Sequence, residues 1–195
     1  MRDTLVGDDR GMSIAELMVA ITLMLIVLAA AYAFSGVLQA GQKVSNREAA
    51  LASSIAIPLA RMQEIAIQNN AIDKNPAPTG YLLSLRTNQN PDVDDVLEQH
   101  TFAATSAGTI TQVAYRLDAG GNRVGAPFVS ATIGTDNMNV SSGTPLFRYF
   151  DANHAEITDM GLVPTNTKSI VIYIRARIDG RSIGDTSTVQ FRNRD

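Results

Sequence analysis

The chain has no cysteine, which removes thiolate metal sites, thiol nucleophiles and disulfide staples together. Any part of it that folds outside the cytoplasm must hold together by packing and hydrogen bonds alone. Positive charge is also scarce. Sixteen Lys and Arg face 19 Asp and Glu, for a net charge of −3, so no global field exists to hold a polyanion. Histidine occurs only at His100 and His154, in no metal-ligand spacing and beside no nucleophile motif, so each reads as a surface or turn residue. No Gly-x-Ser-x-Gly, phosphate-cradling loop or dinucleotide fingerprint is present, and Gly120-Gly121 reads as part of a turn. Neither an enzyme nor a cofactor is expected. What remains, 195 residues of which 45 % are hydrophobic, suffices for one modest domain and a separate helical element.

The hydrophobic content is concentrated near the start. After the polar leader MRDTLVGDDRG, the sequence from Leu17 reads LMVAITLMLIVLAAAYAFSGVL and carries no charge before Lys43. Such a run is long enough to cross a hydrocarbon core as a helix. Val19, Ile21, Leu23, Leu25, Ile26 and Leu28 fall on every side of a helical projection, so lipid or a crowd of like helices is its natural surrounding. A cleaved secretory signal would place small-residue processing sites at Ala29-Ala30-Ala31 or Ala31-Tyr32-Ala33. Against it, Asp3, Asp8 and Asp9 outnumber Arg2 and Arg10 in the leader, where such a signal needs positive charge. Glu16 argues equally against a plain signal anchor, because a carboxylate costs roughly 2.5 kcal/mol or more toward the centre of a spanning helix.

Gly11-Met12-Ser13-Ile14-Ala15-Glu16-Leu17-Met18-Val19 places a glycine after a short charged leader and a glutamate five residues later, opening an apolar helix. This resembles the type IV prepilin signal. The resemblance implies cleavage by a prepilin peptidase after Gly11 on the cytoplasmic side, N-methylation of the new first residue Met12, and retention of the helix as anchor and polymerisation surface. Most relatives carry phenylalanine at the position of Met12 and threonine-leucine-isoleucine at those of Ser13-Ile14-Ala15, so this chain departs in detail. In the family the glutamate meets the terminal amine of a neighbouring subunit, which here is the amine of Met12. A buried pair of this kind sets axial register more than it adds stability, because each charge alone is expensive to bury. The alternative for Glu16 is a carboxylate reaching to the membrane surface without a partner.

Beyond the apolar run, QAGQKVSNREAALASSIAIPLARMQEIAIQNNAI stays helical in pattern but becomes two-sided. Leu51, Ile55, Leu59, Met62 and Ile65 form one stripe, with Lys43, Arg47, Glu48, Arg61 and Glu64 mostly away from it. Gly36 and Gly41 weaken this helix locally, and Pro58 predicts a kink or loosened turn. The pattern predicts a helix end near Asn69-Asn70, before the proline-rich boundary from Asp73 to Pro78. Strand chemistry follows. Tyr81 to Arg86 is one candidate. Thr109 to Leu117 and Val124 to Ile133 flank the turn at 118–122, and Leu146 to Phe150 with Ala155 to Ile157 suggests a second hairpin. The clearest pair is the last: Ile170, Ile172, Ile174, Ala176 and Ile178 alternate with wetter residues up to the turn Asp179-Gly180, and the chain returns over Arg181 to Arg192. The expected fold is therefore α+β, a long N-terminal helix whose first half spans the membrane and whose second half packs on an antiparallel sheet. This layout and the ending Val189-Gln190-Phe191-Arg192-Asn193 are similar to minor pilins and J-type pseudopilins.

The expected organisation is a leader over 1–11, a transmembrane and polymerisation helix over 12–42, its amphipathic continuation over 43–72 and an extracytoplasmic β-rich domain over 73–195. Asp92, Asp94, Asp95 and Glu98 crowd carboxylates as a calcium loop would, but in no EF-hand spacing. A solvated acidic loop or helix start is the plainer reading, and no metal is expected. Lys168, Arg175, Arg177, Arg181, Arg192 and Arg194 make the last hairpin locally basic, a surface that could touch DNA phosphates, although interspersed Asp179, Asp185 and Asp195 favour an ordinary wet sheet face. The resemblance implies a structural subunit of a type IV pilus or type II secretion-like filament. Its partners are prepilin peptidase, other pilin or pseudopilin subunits, an inner-membrane assembly platform and membrane lipid. It would be held in the bacterial cytoplasmic membrane by a single pass, with its C-terminal domain outside. The alternatives are a single-span anchored module that binds a ligand outside the cytoplasm, and a Sec-secreted soluble protein.

Overall fold

The structure is a computed structural model that describes residues 13–87 and 97–191. The chain divides into two compact units, one through Asn46 and the other from Arg47. Helix α1 spans Ile14–Leu51, a π-helical turn spans Ala52–Ala56, and α2 spans Ile57–Ile67. The described residues of the first unit belong to α1, apart from Ser13 before it; α1 continues through Gly36 and Gly41 without a break and buries none of its residues. Apolar side chains stand out to all sides, among them Met18, Met24, Val27 and Phe34.

The second unit is built from strands and the rear of the helix. Its stripe Ile55, Leu59, Met62 and Ile65 is buried as the spacing predicts, and Leu51 packs at its margin. The π-helical turn supplies one extra residue per turn just where the stripe steps by four twice in succession. Pro58 falls in the first turn of α2 and can donate no N–H to the turn before it, and the loosened turn expected from it, the π-helical one, lies immediately upstream. Helix α2 ends at Ile67, and the last residues of the segment read as helix instead form a strand.

The strands form two antiparallel sheets. One contains β1 (Asn69–Ile72), β2 (Leu82–Thr87), β3 (Glu98–Ala104), β4 (Ile110–Leu117) and β5 (Arg123–Gly134) in chain order. The other contains β6 (Phe147–Phe150), β7 (Ser169–Ile178) and β8 (Arg181–Gln190), and α3 (Val163–Asn166) lies in the β6–β7 connection. Helix and both sheets share one core, in which Met62, Leu83, Leu85, Phe102, Ile110, Ile170, Ile172 and Ile174 are fully buried. The α+β layout expected from sequence is thus present.

Two hairpins form as the patterns predict. β4 and β5 pair across the 118–122 turn, where Asp118 accepts the Asn122 N–H at 2.8 Å. β7 and β8 pair from Ser169↔Gln190 to Ile178↔Arg181. Asp179 and Gly180 both have positive φ, 50° and 74°, the conformation of a two-residue hairpin turn. The hairpin expected between 146–150 and 155–157 is reduced to a bridge between Phe150 and Glu156, flanked by bonds from Asp151 N–H to Ala155 C=O and from Ile157 N–H to Tyr149 C=O, and the strand partner of β6 is β7. Asp151 bends that loop by accepting the N–H groups of Asn153 and Ala155, and Arg148 and Glu156 pair across it.

Where β6 stops, side chains continue the edge of β7. Tyr173 N–H bonds Leu146 C=O, and the next positions are served by Asn139, fully buried. Its Oδ1 accepts Arg175 N–H at 2.8 Å and its Nδ2 donates to Tyr173 C=O at 2.7 Å. Met138 N–H and Arg177 N–H then bond Arg175 C=O and Asp136 C=O. This segment directly follows β5 and so ties the first sheet to the second.

Candidate functional site

The functional candidate with the strongest sequence signal is the start of α1. Ser13 immediately precedes the helix, whose first four N–H groups have no partner within it. The Ser13 hydroxyl accepts the Glu16 N–H at 3.2 Å, and the Glu16 carboxylate Oε2 accepts the Ser13 N–H at 2.9 Å. This reciprocal pair is a capping box, and it also sets a negative charge at the positive end of the helix dipole. Glu16 Oε1 has no partner among the described residues. From sequence Ser13 passes as an ordinary polar residue, although the spacing Ser13-x-x-Glu16 ahead of an apolar run is the signal for this cap. Gly11 and Met12 lie outside the described residues.

Past the cap the helix offers a continuous apolar surface. The stretch from Ile14 is long and apolar enough to cross a membrane, with a mean hydropathy of 2.6 over its best window and no residue of that window buried. A water-soluble helix normally hides one side and wets the other. Here neither side is hidden and neither is polar. A family model described as the prokaryotic N-terminal methylation motif matches residues 8–32.

The N-terminal segment carries a prepilin-type methylation motif, consistent with a type IV pilin-like protein. The match covers the leader junction, the capped glutamate and most of the uncharged run, the stretch that carries the resemblance seen in the sequence. Searches of the curated proteins and of the solved structures find no match to the chain. The prepilin-type motif implies processing by prepilin peptidase and assembly with other pilin subunits, and it characterises structural subunits. Together with the apolar helix it points to anchoring in a membrane by a single pass.

The structure scatters the remaining candidates. Asp92, Asp94 and Asp95 lie outside the described residues, whereas Glu98 is neither loop nor helix start but the first residue of β3. Its carboxylate bonds His100 Nε2 at 3.1 Å. Among the described residues no three His, Asp or Glu side chains gather as metal ligands would. His100, expected at the surface, is buried beneath Phe128, whose ring meets it edge-on. Gln112 explains how a histidine is held there. Arg61 Nε on α2 donates to Gln112 Oε1 at 3.4 Å, which turns the Gln112 amide nitrogen toward His100 Nδ1 at 3.2 Å. Nδ1 therefore accepts, and Nε2 carries the proton donated to Glu98. Burial lowers the His100 pKa most, the nearby Glu98 raises it, and Arg61 lowers it further. His154 sits in the 151–155 turn with φ 60°, as its setting predicts.

Of the basic residues on the last hairpin, Arg192 and Arg194 lie outside the described residues. Arg175 is engaged with Ser182 Oγ at 2.6 Å, and Asp185 stands on the same strand as Arg181. The arrangement is that of a wet sheet face, on which Tyr173 stands with Arg175 and Arg177.

Proposed function

We propose that the chain is a minor pilin or pseudopilin of a type IV pilus or type II secretion-like filament. It is made as a precursor, cut after Gly11 by prepilin peptidase and methylated on Met12. It waits in the cytoplasmic membrane with its second unit outside, and polymerises through α1 with the help of an inner-membrane assembly platform. The observation that carries this reading is the coincidence, on one N-terminal helix, of the methylation motif, a capped glutamate and an apolar surface without a buried residue. In a filament, neighbouring α1 helices cover that surface with one another. The capping box bears on how Glu16 works there. Because Oε2 alone serves Ser13, Oε1 can accept the Met12 amine of a neighbour while the cap stays closed, so register is chosen without unwinding the first turn. A charge-assisted bond of this type is roughly twice as strong as a neutral one.

The test is the mass and first residue of the mature protein from its native host. A methylated Met12 is expected. An intact Met1 would point to an anchored module that never polymerises, and a start at Tyr32 or Phe34 to a secreted protein. The companion variant Glu16→Ala is expected to insert into the membrane as the parent does but to be lost from sheared filaments. Incorporation at parental levels would remove Glu16 from assembly.

A further inference from the structure

Far along the sequence from the helix, the second unit contains a polar cavity of about 260 Å³ lined by Asp73, Asn75, Arg86, Gln99, Asn122 and Arg123, with Gly121 at its rim. Strand register explains why these residues meet. Arg86 on β2 lies opposite Gln99 on β3, and Gln99 lies opposite Tyr115 on β4, so the three form one row across the sheet. Asp73 follows β1, and Arg123 opens β5 and leans back over the row. Its guanidinium lies 4.4 Å from the centre of the Tyr115 ring, a stacking that holds the group flat while leaving its edges open.

The hydrogen bonds within the cavity leave a surplus of donors. Gln99, buried, donates through Nε2 to Asp73 Oδ2 at 2.6 Å and to Asn75 C=O at 2.7 Å. Its Oε1 accepts from Arg123 Nε at 2.7 Å. Arg86 Nη2 reaches the same Asp73 Oδ2 at 2.9 Å, and the Asn75 N–H occupies Oδ1 at 3.3 Å. The one carboxylate among the described residues that line the cavity is therefore fully engaged. Arg86 Nε is buried without a partner, and neither Arg86 Nη1 nor either Nη of Arg123 has one among the described residues. Among the described residues two guanidiniums thus face one carboxylate, leaving one positive charge and the unpartnered Nη groups of Arg86 and Arg123 at a space of molecular size. Asp118, the other acid of the adjoining turn, is occupied with Asn122. Gly121 completes the enclosure: its φ is 79°, and a Cβ there would stand 3.0 Å from Arg86 Nη1, so this position admits no side chain without strain and without filling the rim.

We infer that this cavity is a binding site for a small oxyanion, a carboxylate or phosphate group, gripped by the guanidinium edges of Arg123 and Arg86. Planar guanidinium forks match both groups in geometry. The preorganisation comes from Gln99 and Tyr115, which fix Arg123 before any ligand arrives, so little side-chain freedom is lost on binding. Asp73 plays the same part for Arg86.

The test uses the full chain in micelles of an uncharged detergent, titrated by calorimetry with sodium phosphate and separately with sodium succinate. Sodium chloride holds ionic strength constant. Saturable binding of at least one anion with Kd below about 10 mM is expected, and which anion binds more tightly tells whether the natural group is tetrahedral or planar. Arg123→Gln should weaken it by about tenfold or more, and Arg123→Lys, which keeps the charge but not the fork, by an intermediate factor. Circular dichroism checks that the variants fold. No saturable heat with either anion in the parent protein overturns the site, whatever the variants do, and so does parental affinity in a folded Arg123→Gln.

Discussion

Ser13, Glu16 and His100 show how much a single side chain's meaning depends on its second partner. Glu16 is conspicuous in the sequence because an acid in an apolar run is costly, yet half of its setting is Ser13, which looks unremarkable until the helix start is drawn. His100 is the opposite case. It looks like a surface residue because nothing adjacent in sequence marks it, and its partners arrive from α2, β4 and β5. The structure gives it a pH signature. Its folded pKa lies below the ordinary 6.5, with burial as the leading cause, so the unfolded chain binds the proton more readily than the native one. Stability contributed by the neutral ring is then fully present above about pH 6.5 and is lost as pH falls through that value toward the folded pKa. Glu98, Arg61, Gln112 and Phe128 are the groups that face the ring. A denaturation midpoint that declines between pH 7.5 and 5.5 in the parent, and declines less in His100→Gln, is the expected result. Equal slopes would show that the ring does not titrate on unfolding.

At the scale of elements, helix and sheet approach closely at Pro58. A Cβ built on Gly134, at the end of β5, would stand 2.9 Å from Pro58 Cγ. The proline ring cannot swing away as a flexible side chain would. Gly134→Ala should therefore push α2 from the sheet and destabilise the second unit by about 1–3 kcal/mol, the usual cost of overpacking. Pro58→Ala in the same chain should recover part of the loss, which a denaturant double-mutant cycle reads directly. Which elements are legible in sequence follows from how each one meets the core. β7 declares itself because Ile170 to Ile178 alternate strictly between core and a wetter face. β3 does not, because both of its sides are covered and polar side chains fill them: Gln99 is buried in the Asp73 network and His100 in the Gln112 network. Such residues erase the apolar alternation that marks a half-buried strand. β1 is four residues long and opens with two asparagines, too short and too polar to carry a pattern. The partner of β6 is missed for another reason. The turn residues after it invite pairing with the next segment, whereas the actual partner is β7, beyond α3.

For the molecule as a whole, the division into two units separates what sequence reveals from what it does not. The helix of the first unit is legible, since a long uncharged run and a short motif declare it. The Arg123 cavity of the second is not, because its lining is collected from four stretches of chain that no spacing relates. The core itself begins at Ala50 and Leu51 and includes nothing upstream of them. A chain starting at Arg47 should accordingly fold as a water-soluble monomer. It should unfold within about 1 kcal/mol of the full chain in micelles, the difference being an uncapped helix end. Size-exclusion chromatography and a urea transition check this, and aggregation of the fragment would mean that the anchor takes part in the fold.

Asn139 sets a limit on which parts of this unit can vary in length. Its amide offers β7 a donor and an acceptor separated as in a peptide group, so a side chain occupies a seat in the ladder. Turns such as 179–180 can lengthen at small entropic expense, but one residue more or fewer between β5 and Asn139 would carry that amide off its seat. Polar backbone groups of β7 would then be stranded where water cannot reach them. Variation in length among related chains is thus expected at the 179–180 tip, while the passage from one sheet to the other keeps its count.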